Sequence, residues 1–390
     1  MKTFLHPLQN LAEMEAIYTK AKSNRGILEI SGCMESQKAH LIYGLSGLFT
    51  SHLILAEDEK AAKELYEDYR FYDKNVYYYP AKDLLFFQAD IHGNLLIRQR
   101  MRVIKALLEQ KENITVVTSI DGCMDYLQPL DKIEKQLIHF RNDSTLDMDK
   151  LKDALVHMGY ERVGQVEMPG QFSVRGGIVD IYSLTEENPW RIELWGDEID
   201  SIRTFDSQSQ RSLENLDEIT IYPATEQPAE KGGVSFLDYF AEKNSLVFLD
   251  EPNRLEENAR AVEEEFRQSC ENRQQKGEEN ISQNWMCRWE DLNHKLNNRN
   301  CISVSLMEPK RADWKITEQF NLTVKSMSSY QSSFELLVKD LRQYKKQGYQ
   351  IVLLSGSRTR AERLAKDLQD EGLSAFYGQD FDRVLEPGEI

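Results

Sequence analysis

Residues 26–49 read GILEISGCMESQKAHLIYGLSGLF. An apolar run, a turn and a second apolar segment follow one another here, which predicts a strand, a loop and a helix. A phosphate-binding loop occupies this context and reads G-x-x-x-x-G-K-[ST]. Gly32 and Lys38 stand at the matching positions, but Gln37 replaces the second glycine and Ala39 replaces the hydroxyl residue. The stretch therefore predicts an α/β fold that keeps the frame of a nucleotide site and lacks the groups that hold the nucleotide.

A second pattern of the same kind is LVFLDE at residues 246–251. In ATPases the Asp of such a strand end positions magnesium and the Glu aligns water. Each pattern alone also fits an ordinary strand end or a strand-to-helix turn with a surface lysine, but the two in this order favour a helicase-type core. Because the hydroxyl is lost, we expect neither ATP nor magnesium at this degenerate site. Its residues are Gly32, Gln37, Lys38, Ala39, Asp250 and Glu251.

Composition narrows the class of protein. The 390 residues suffice for two or three domains, and 41% of them are hydrophobic. The formal charge of −17 argues against a surface that binds nucleic acid as a whole. The five cysteines are scattered without a C-x-x-C pair, which indicates reduced thiols of a cytoplasmic protein. No apolar run reaches the length of about 18 residues that a membrane span needs, so we expect no membrane association.

The order of predicted elements indicates several domains. Strands and helices alternate up to about residue 130, which predicts a parallel sheet covered on both faces. Closely spaced strands then indicate an inserted α+β domain, and the predicted fold class is a degenerate RecA- or helicase-like α/β domain with this insertion and the start of a further α/β domain. The last part has a predicted helix that begins near residue 332, one strand at 349–356 and a helix at 358–371, so we expect it to be incomplete. The predicted bounds are 1–136 and 224–328 for the first domain, 137–223 for the insertion and 329–390 for the last part.

Two stretches of the insertion carry a specific pattern, MPGQFSVRGGIVDIY at 168–182 and WRIELWGDEIDSIR at 190–203. Alternating side chains of a strand point to opposite faces. Gly196 followed by aspartate fits a two-residue hairpin turn with glycine first. The turn would pair Leu194 with Ile199 on the core side of the sheet.

The same alternation places Trp195 and Arg191 on the other face, and Arg175 opposes the apolar residues of its own strand. An exposed tryptophan among arginines is typical of a protein-binding hot spot. In the alternative, Trp195 packs under the predicted helix at 146–158 and the arginines pair only with nearby acids. The sequence leaves both alternatives open.

These stretches resemble a known module. PGQFSVRGGIVDIY (169–182) with RIELWGDEIDSIRTFD (191–206) is similar to the module shared by bacterial transcription-repair coupling factors and the excision-repair subunit UvrB. The resemblance covers nearly the whole chain and includes residues 77–93 and 208–226. UvrB keeps an intact P-loop and a longer insertion after the position of Pro80. The decayed loop and the short segment here therefore favour the coupling-factor family.

The resemblance implies a non-catalytic region that mimics UvrB and recruits UvrA to RNA polymerase stalled at DNA damage. It implies that the motor with its ATP and magnesium, and the contacts with RNA polymerase and DNA, lie in domains further along the chain. A C-terminal domain would mask the UvrA surface until the motor engages polymerase. We expect a cytoplasmic monomer.

The family's UvrA contacts match Arg175, Arg191 and Trp195, with Arg203 and Phe205 as weaker candidates. Trp195 departs from the phenylalanine that is common in the family. Two other functions remain as alternatives. The first is an active UvrB-like ATPase or helicase that uses Lys38 and the two acids at 250–251, and the second is a spacer domain without a partner.

Overall fold

A computed structural model describes residues 2–23, 25–82, 94–109, 113–226, 229, 232–275, 286–308, 314–327, 329–330, 333–379 and 381–390. These residues form the helices α1 (Lys2–Gln9), α2 (Met14–Ser23), α3 (Glu35–Ser46), α4 (Glu59–Tyr69), α5 (Asn94–Leu108), α6 (Ile120–Cys123), α7 (Leu130–Glu134), α8 (Met148–His157), α9 (Pro252–Gln275), α10 (Trp289–Leu296), α11 (Phe334–Lys346) and α12 (Arg358–Asp370). The stretch 83–93, which carries part of the resemblance, lies outside the described residues.

The strands are β1 (Gly26–Ser31), β2 (Ser51–Ala56), β3 (Val76–Tyr79), β4 (Ile114–Ser119), β5 (Tyr126–Leu127), β6 (Ile138–Arg141), β7 (Glu161–Arg162), β8 (Gln171–Arg175), β9 (Ile178–Ile181), β10 (Trp190–Trp195), β11 (Glu198–Phe205), β12 (Ser212–Leu216), β13 (Glu218–Ile221), β14 (Val234–Ser235), β15 (Ser245–Asp250), β16 (Asn300–Val304) and β17 (Ile316–Asn321). Short pairs join β5 to β14 and β6 to β13.

The first domain is built on a seven-stranded sheet in the order β17-β1-β16-β15-β2-β4-β3. Every pairing in it is parallel. A parallel sheet is covered on both faces, so its strands are continuous apolar runs. Accordingly β1, β4 and β15 are buried along their whole length. The predicted parallel sheet is confirmed, although β16 and β17 were not among the predicted strands.

Neighbouring residues of each strand enter two different cores. Leu53 and Val247 belong to one buried cluster, and Ile54 and Phe248 belong to a second. The second cluster lies under α3 and α4, because Leu41 of α3 and Leu65 of α4 belong to it. The first cluster continues into the inserted domain. One face of the parallel sheet therefore supports that domain.

The inserted domain enters through β6 and leaves through β13, and these two strands pair antiparallel. Between them lies a six-stranded sheet in the order β12-β11-β10-β9-β8-β7, which is antiparallel except for the β7–β8 pair. Leu151 and Leu155 of α8 pack with Phe172 and Ile192 of the sheet in one cluster. The predicted fold class, a parallel α/β domain with an inserted α+β domain, is confirmed.

Charged contacts also join the two domains. Arg100 of α5 is fully buried and pairs with Asp125 at 2.6 Å and with Glu226 at 2.5 Å. Glu226 follows β13, where the chain leaves the insertion. Lys105 of α5 also pairs with Glu186 of the insertion at 2.5 Å. These pairs fix the insertion against α5.

The last part of the chain departs from the prediction at one point. The helix predicted at 358–371 is α12, but residues 349–356, predicted as a strand, belong to no ladder among the described residues. A strand needs a neighbour that pairs its backbone groups, and apolar composition alone does not supply one. Ile351 nevertheless packs with Leu341 of α11 and Leu368 of α12 in a small core of their own.

Candidate functional site

Lys38 lies at the centre of a group of charges that we call the lysine cluster: Lys38, Glu35, Asp250 and Glu251. Its Nζ lies 2.6 Å from Asp250 Oδ1 and 2.9 Å from a carboxylate oxygen of each glutamate. Lys38 stands in the first turn of α3, and the pair 250–251 ends β15. The carboxyl ends of parallel strands meet at one edge of a sheet, which is why residues so far apart in sequence converge. The alternative of a surface lysine is wrong, because the Lys38 side chain is 1% exposed.

Three carboxylates share one ammonium in this cluster. Burial lowers the pKa of Lys38, but the charge of Asp250 and the bonds to the three carboxylates outweigh burial and raise it overall. Burial raises the pKa of Asp250 to about 6, and the Lys38 ammonium offsets this only in part. The lysine therefore stays charged, and burial favours the protonated form of Asp250.

The loop before α3 packs against protein backbone. Gly32 has a φ of 79°, and a Cβ at this position would lie 2.0 Å from the carbonyl oxygen of Leu322. The N–H of Leu322 donates to the Ser31 oxygen at 2.9 Å, and the N–H of Cys33 donates to the Ser305 oxygen at 3.0 Å. The close approach of the chain after β17 is sufficient reason for a glycine at position 32.

The replaced positions of the loop have ordinary roles in packing. Ala39 is buried and belongs to the apolar core under α3. The N–H of Gln37 donates to the Met34 oxygen at 2.9 Å, within the first turn of the helix. Glu251 has a φ of 49°, and its carboxylate accepts both from Lys38 and from the N–H of Leu306. Most polar groups around the loop thus have partners within the chain.

The second candidate site is one face of the six-stranded sheet. The ladder register places Ser173, Asp180, Arg191 and Arg203 side by side across β8 to β11. Residues two apart along a strand share a face, so Arg175 belongs to this row's face as well. Trp195, four positions after Arg191 in β10, also shares it. We call this surface the outer face, because α8 packs on the opposite one.

Trp195 is the most exposed large apolar side chain of the described residues, at 84%. The turn after it has the predicted two residues, with Gly196 at a φ of 64°. Leu194 pairs with Ile199 on the core side, as predicted. The alternative that buries Trp195 under α8 is wrong. The alternative was right that the arginines pair with acids, although not in every case with the acids expected.

Asp180 connects two of the arginines. Its carboxylate is fully buried and accepts from Arg191 Nε at 2.6 Å, from Arg191 Nη2 at 2.8 Å and from Arg175 Nη2 at 2.5 Å. The hydrogen bonds that Arg191 donates to Asp180 raise the pKa of Arg191. The Arg191 side chain is 13% exposed and that of Arg175 is 45% exposed. Our sequence analysis missed Asp180, although a lone acid inside the apolar run GGIVDIY is a recognisable signal.

The two weaker candidates of the outer face differ in exposure. Phe205 is fully buried and packs with Val166 and Tyr182 in a small cluster. The Arg191 guanidinium carbon lies 4.3 Å from the centroid of the Phe205 ring. Phe205 therefore lies beneath Arg191 and offers no surface to a partner, which corrects its candidacy as a contact residue. Arg203 is partly exposed and pairs with Glu193 through both of its terminal nitrogens.

Comparison with known proteins defines the class of the inserted domain first. Residues 138–226 match the family model described as the UvrB interaction domain. This match runs from β6 to just beyond β13, so it coincides with the insertion and includes the whole outer face.

The chain as a whole is similar to transcription-repair-coupling factors. That of Bacillus subtilis is 28% identical over 93% of this chain and 37% of its own length. That of Staphylococcus epidermidis is 25% identical over 76% of this chain and 30% of its own length. The resemblance inferred from sequence is confirmed: the chain is a homologue of these factors over most of its length. It spans about a third of the length of these curated relatives.

No helix of the described residues is long and apolar enough to cross a membrane. The same residues contain no group of three or more acidic, histidine or cysteine side chains placed to hold a metal ion.

Proposed function

We propose that the inserted domain is a docking module for UvrA and that the chain acts in transcription-repair coupling by mimicking UvrB. The observation that carries the proposal is Trp195, which stands 84% exposed on the same face as Arg175 and Arg191 in a domain that matches the UvrB interaction domain. Tryptophan and arginine are the residues in which binding energy concentrates at protein interfaces. A bulky side chain held in solvent at the end of a hairpin strand is well placed to enter a pocket of the partner.

We also propose that the lysine cluster binds neither ATP nor magnesium. A nucleotide site needs the lysine for the terminal phosphates and the acid for the metal. Here Lys38 and Asp250 are 2.6 Å apart and neutralise each other. Ala39 offers no hydroxyl to a metal, and Glu35 places a further negative charge beside the lysine. The chain is then an adaptor and the chemistry of coupling belongs elsewhere.

An active ATPase or helicase is the competing function, and one observation favours it. Lys38, Asp250 and Glu251 meet at the carboxyl edge of the sheet, where a nucleotide would bind. To serve ATP, however, the buried Lys38 ammonium would have to leave the three carboxylates that bind it. Micromolar ATP binding that disappears in Lys38→Ala would establish this function.

The remaining functions belong, in this proposal, to the longer form of the relatives. An ATP-driven motor with its magnesium, and the contacts with RNA polymerase and DNA, would lie in regions that the match does not cover. A C-terminal domain of such a protein would mask the outer face until the motor engages polymerase. The chain itself would act as a monomer in the cytoplasm.

Calorimetric titration of the chain with purified UvrA tests the docking proposal. The wild type, Trp195→Ala and Arg191→Ala are compared with Val156→Ala, which truncates an exposed apolar residue of α8 in the same domain. We expect the two outer-face variants to lose about 2 kcal/mol or more of binding free energy and Val156→Ala to bind as the wild type does. Equal binding by all four proteins would move the site away from the outer face.

A further inference from the structure

We infer that Asp180 is a positioning residue of the UvrA surface, which holds Arg175 and Arg191 in the arrangement that the partner meets. The inference rests on the proposed docking function and extends it to a residue that lies beneath the proposed contact surface. Asp180 would act through the two arginines, because it is fully buried and cannot touch a partner.

The ladder register sets Asp180 between its two arginine partners. In β9 it pairs with Ser173 of β8 on one side and with Arg191 of β10 on the other. Arg175 reaches Asp180 from the same strand as Ser173, two residues further along. A single carboxylate thus accepts three charge-assisted bonds at 2.5–2.8 Å from two neighbouring strands. Such bonds are about twice as strong as those between neutral groups.

Arg191 is held on three sides. Its Nε and Nη2 bind Asp180, Nη2 also donates to Gln210 at 3.0 Å, and the guanidinium lies over the Phe205 ring. The small cluster of Phe205 with Val166 and Tyr182 supplies a rigid apolar floor for this stack. The hydrogen bonds to Asp180 and the stacking on Phe205 together hold Arg191 in one position.

Without the carboxylate, the two guanidinium groups would repel each other across the ladder. Ordering a flexible side chain at an interface costs conformational entropy. The complex with UvrA would therefore have to order both arginines, whereas Asp180 orders them before the partner arrives. Loss of Asp180 should weaken UvrA binding even though no contact with UvrA is removed.

The test is a double-mutant cycle on UvrA affinity, measured by calorimetry on the full chain. Asp180→Asn is made in the wild type and in a background that carries Arg175→Gln with Arg191→Gln. We expect Asp180→Asn to weaken binding about tenfold in the wild type and less than twofold in the arginine-free background. Asp149→Asn, at an exposed acid of α8 that pairs with Lys152, is the matched control and should leave affinity unchanged.

A merely structural role gives a different pattern, because damage to the fold would reduce affinity by the same factor in both backgrounds. That result would overturn the inference, as would unchanged affinity in Asp180→Asn alone. Absence of UvrA binding by the wild type would overturn the docking function and this role with it. The two failures are therefore distinguishable.

A spectroscopic measurement follows the arginine without any partner. The Nε–H of Arg191 is bound to a buried acceptor, so its proton should exchange slowly with water and give a sharp NMR signal in the wild type. In Asp180→Asn the exchange should be faster by at least tenfold, whereas Asp149→Asn should keep the slow signal. A slow signal that survives Asp180→Asn would show that other contacts hold the arginine and would contradict the inference.

Discussion

The lysine cluster and the outer face both gather opposite charges at a sheet, and they differ in what remains exposed. The Lys38 ammonium pairs with three carboxylates of its own chain, and the side chain is almost completely buried. On the outer face one buried acid binds two arginines, Arg175 stays about half exposed and Trp195 stands almost fully in solvent. Residue types alone do not separate a closed site from an open one. What separates them is whether every charged group of the site already has an oppositely charged partner within the chain.

The cost of removing charges from water explains how both regions are built. Charges removed from water are tolerated only when they are paired and hydrogen-bonded. The lysine cluster meets this condition with three carboxylates around one ammonium, and the outer face meets it with two arginines around one buried carboxylate. The first arrangement leaves nothing for a phosphate group to bind, whereas the second leaves donors for a partner. Substitutions in either region therefore test this difference.

The largest effect is expected from Lys38→Met. Without the ammonium, the buried Asp250 carboxylate loses its cationic partner, and the free energy of unfolding should fall by about 3–5 kcal/mol at pH 8. The pKa of Asp250 is about 6, above the unfolded value, so this acid is protonated in the folded chain at pH 5. The loss should therefore be smaller at pH 5 than at pH 8, as urea unfolding at both values would reveal.

Lys20→Met is the matched control, since Lys20 pairs with Glu318 and both side chains are partly exposed. Such a pair contributes about 0.2–1 kcal/mol, so the control should lose little at either pH. An equally small loss in Lys38→Met would contradict the closed cluster.

The two tryptophans of β10 test which side chain of this strand binds UvrA and which one supports the fold. Trp195→Ala should reduce UvrA affinity by about 2 kcal/mol or more and change the free energy of unfolding by less than about 0.5 kcal/mol. Trp190 lies on the same strand with its side chain in the core. Trp190→Ala should instead destabilise the domain by about 3–5 kcal/mol. Thermal unfolding in parallel with calorimetry separates the two effects, and a destabilised Trp195→Ala would mean that this ring supports the fold.

Gly32→Ala tests whether close packing explains the glycine of the loop before α3. The added Cβ would meet the Leu322 oxygen, and alanine would sit at a positive φ, so we expect a loss of about 1–3 kcal/mol in unfolding free energy. Gly47→Ala, at the end of α3 with open space around it and a φ of −66°, should be neutral or slightly stabilising. Equal stability of both variants would remove the packing explanation for Gly32.

The smallest effect is expected from Arg203→Gln. This arginine pairs with Glu193, and both side chains keep part of their surface in solvent, so stability should change by at most about 1 kcal/mol. UvrA affinity should fall less than in Arg191→Gln, because Arg203 lacks the bridge to Asp180. A larger fall in Arg203→Gln than in Arg191→Gln would move the centre of the surface towards β11.

Much of the fold could be predicted because its elements have clear periods. Alternating residues predicted β10, the turn and β11, and apolar runs predicted β1, β2 and β15. β12 and β17 were missed because their sequences, SLENL and ITEQFN, are polar and stand at sheet edges. Edge strands bury little, so the hydrophobic pattern that identifies a strand is absent from them.

The candidate site could be predicted only as far as single strands allow. Alternation placed Arg191 and Trp195 on one face, and motif order brought Lys38 towards the acids at 250–251. The bridge of Asp180 and the burial of Phe205 depend on ladder register and on a small second core. Those are tertiary facts that no local pattern contains.

The most direct test of the account is a pair of titrations on one preparation of the wild-type chain, with purified UvrA and with ATP and magnesium. The account predicts a binding isotherm with UvrA and none with ATP at micromolar concentrations, because the outer face is open and the lysine cluster is closed. Binding of ATP together with no binding of UvrA would contradict it, since the two regions would then have exchanged the roles proposed for them.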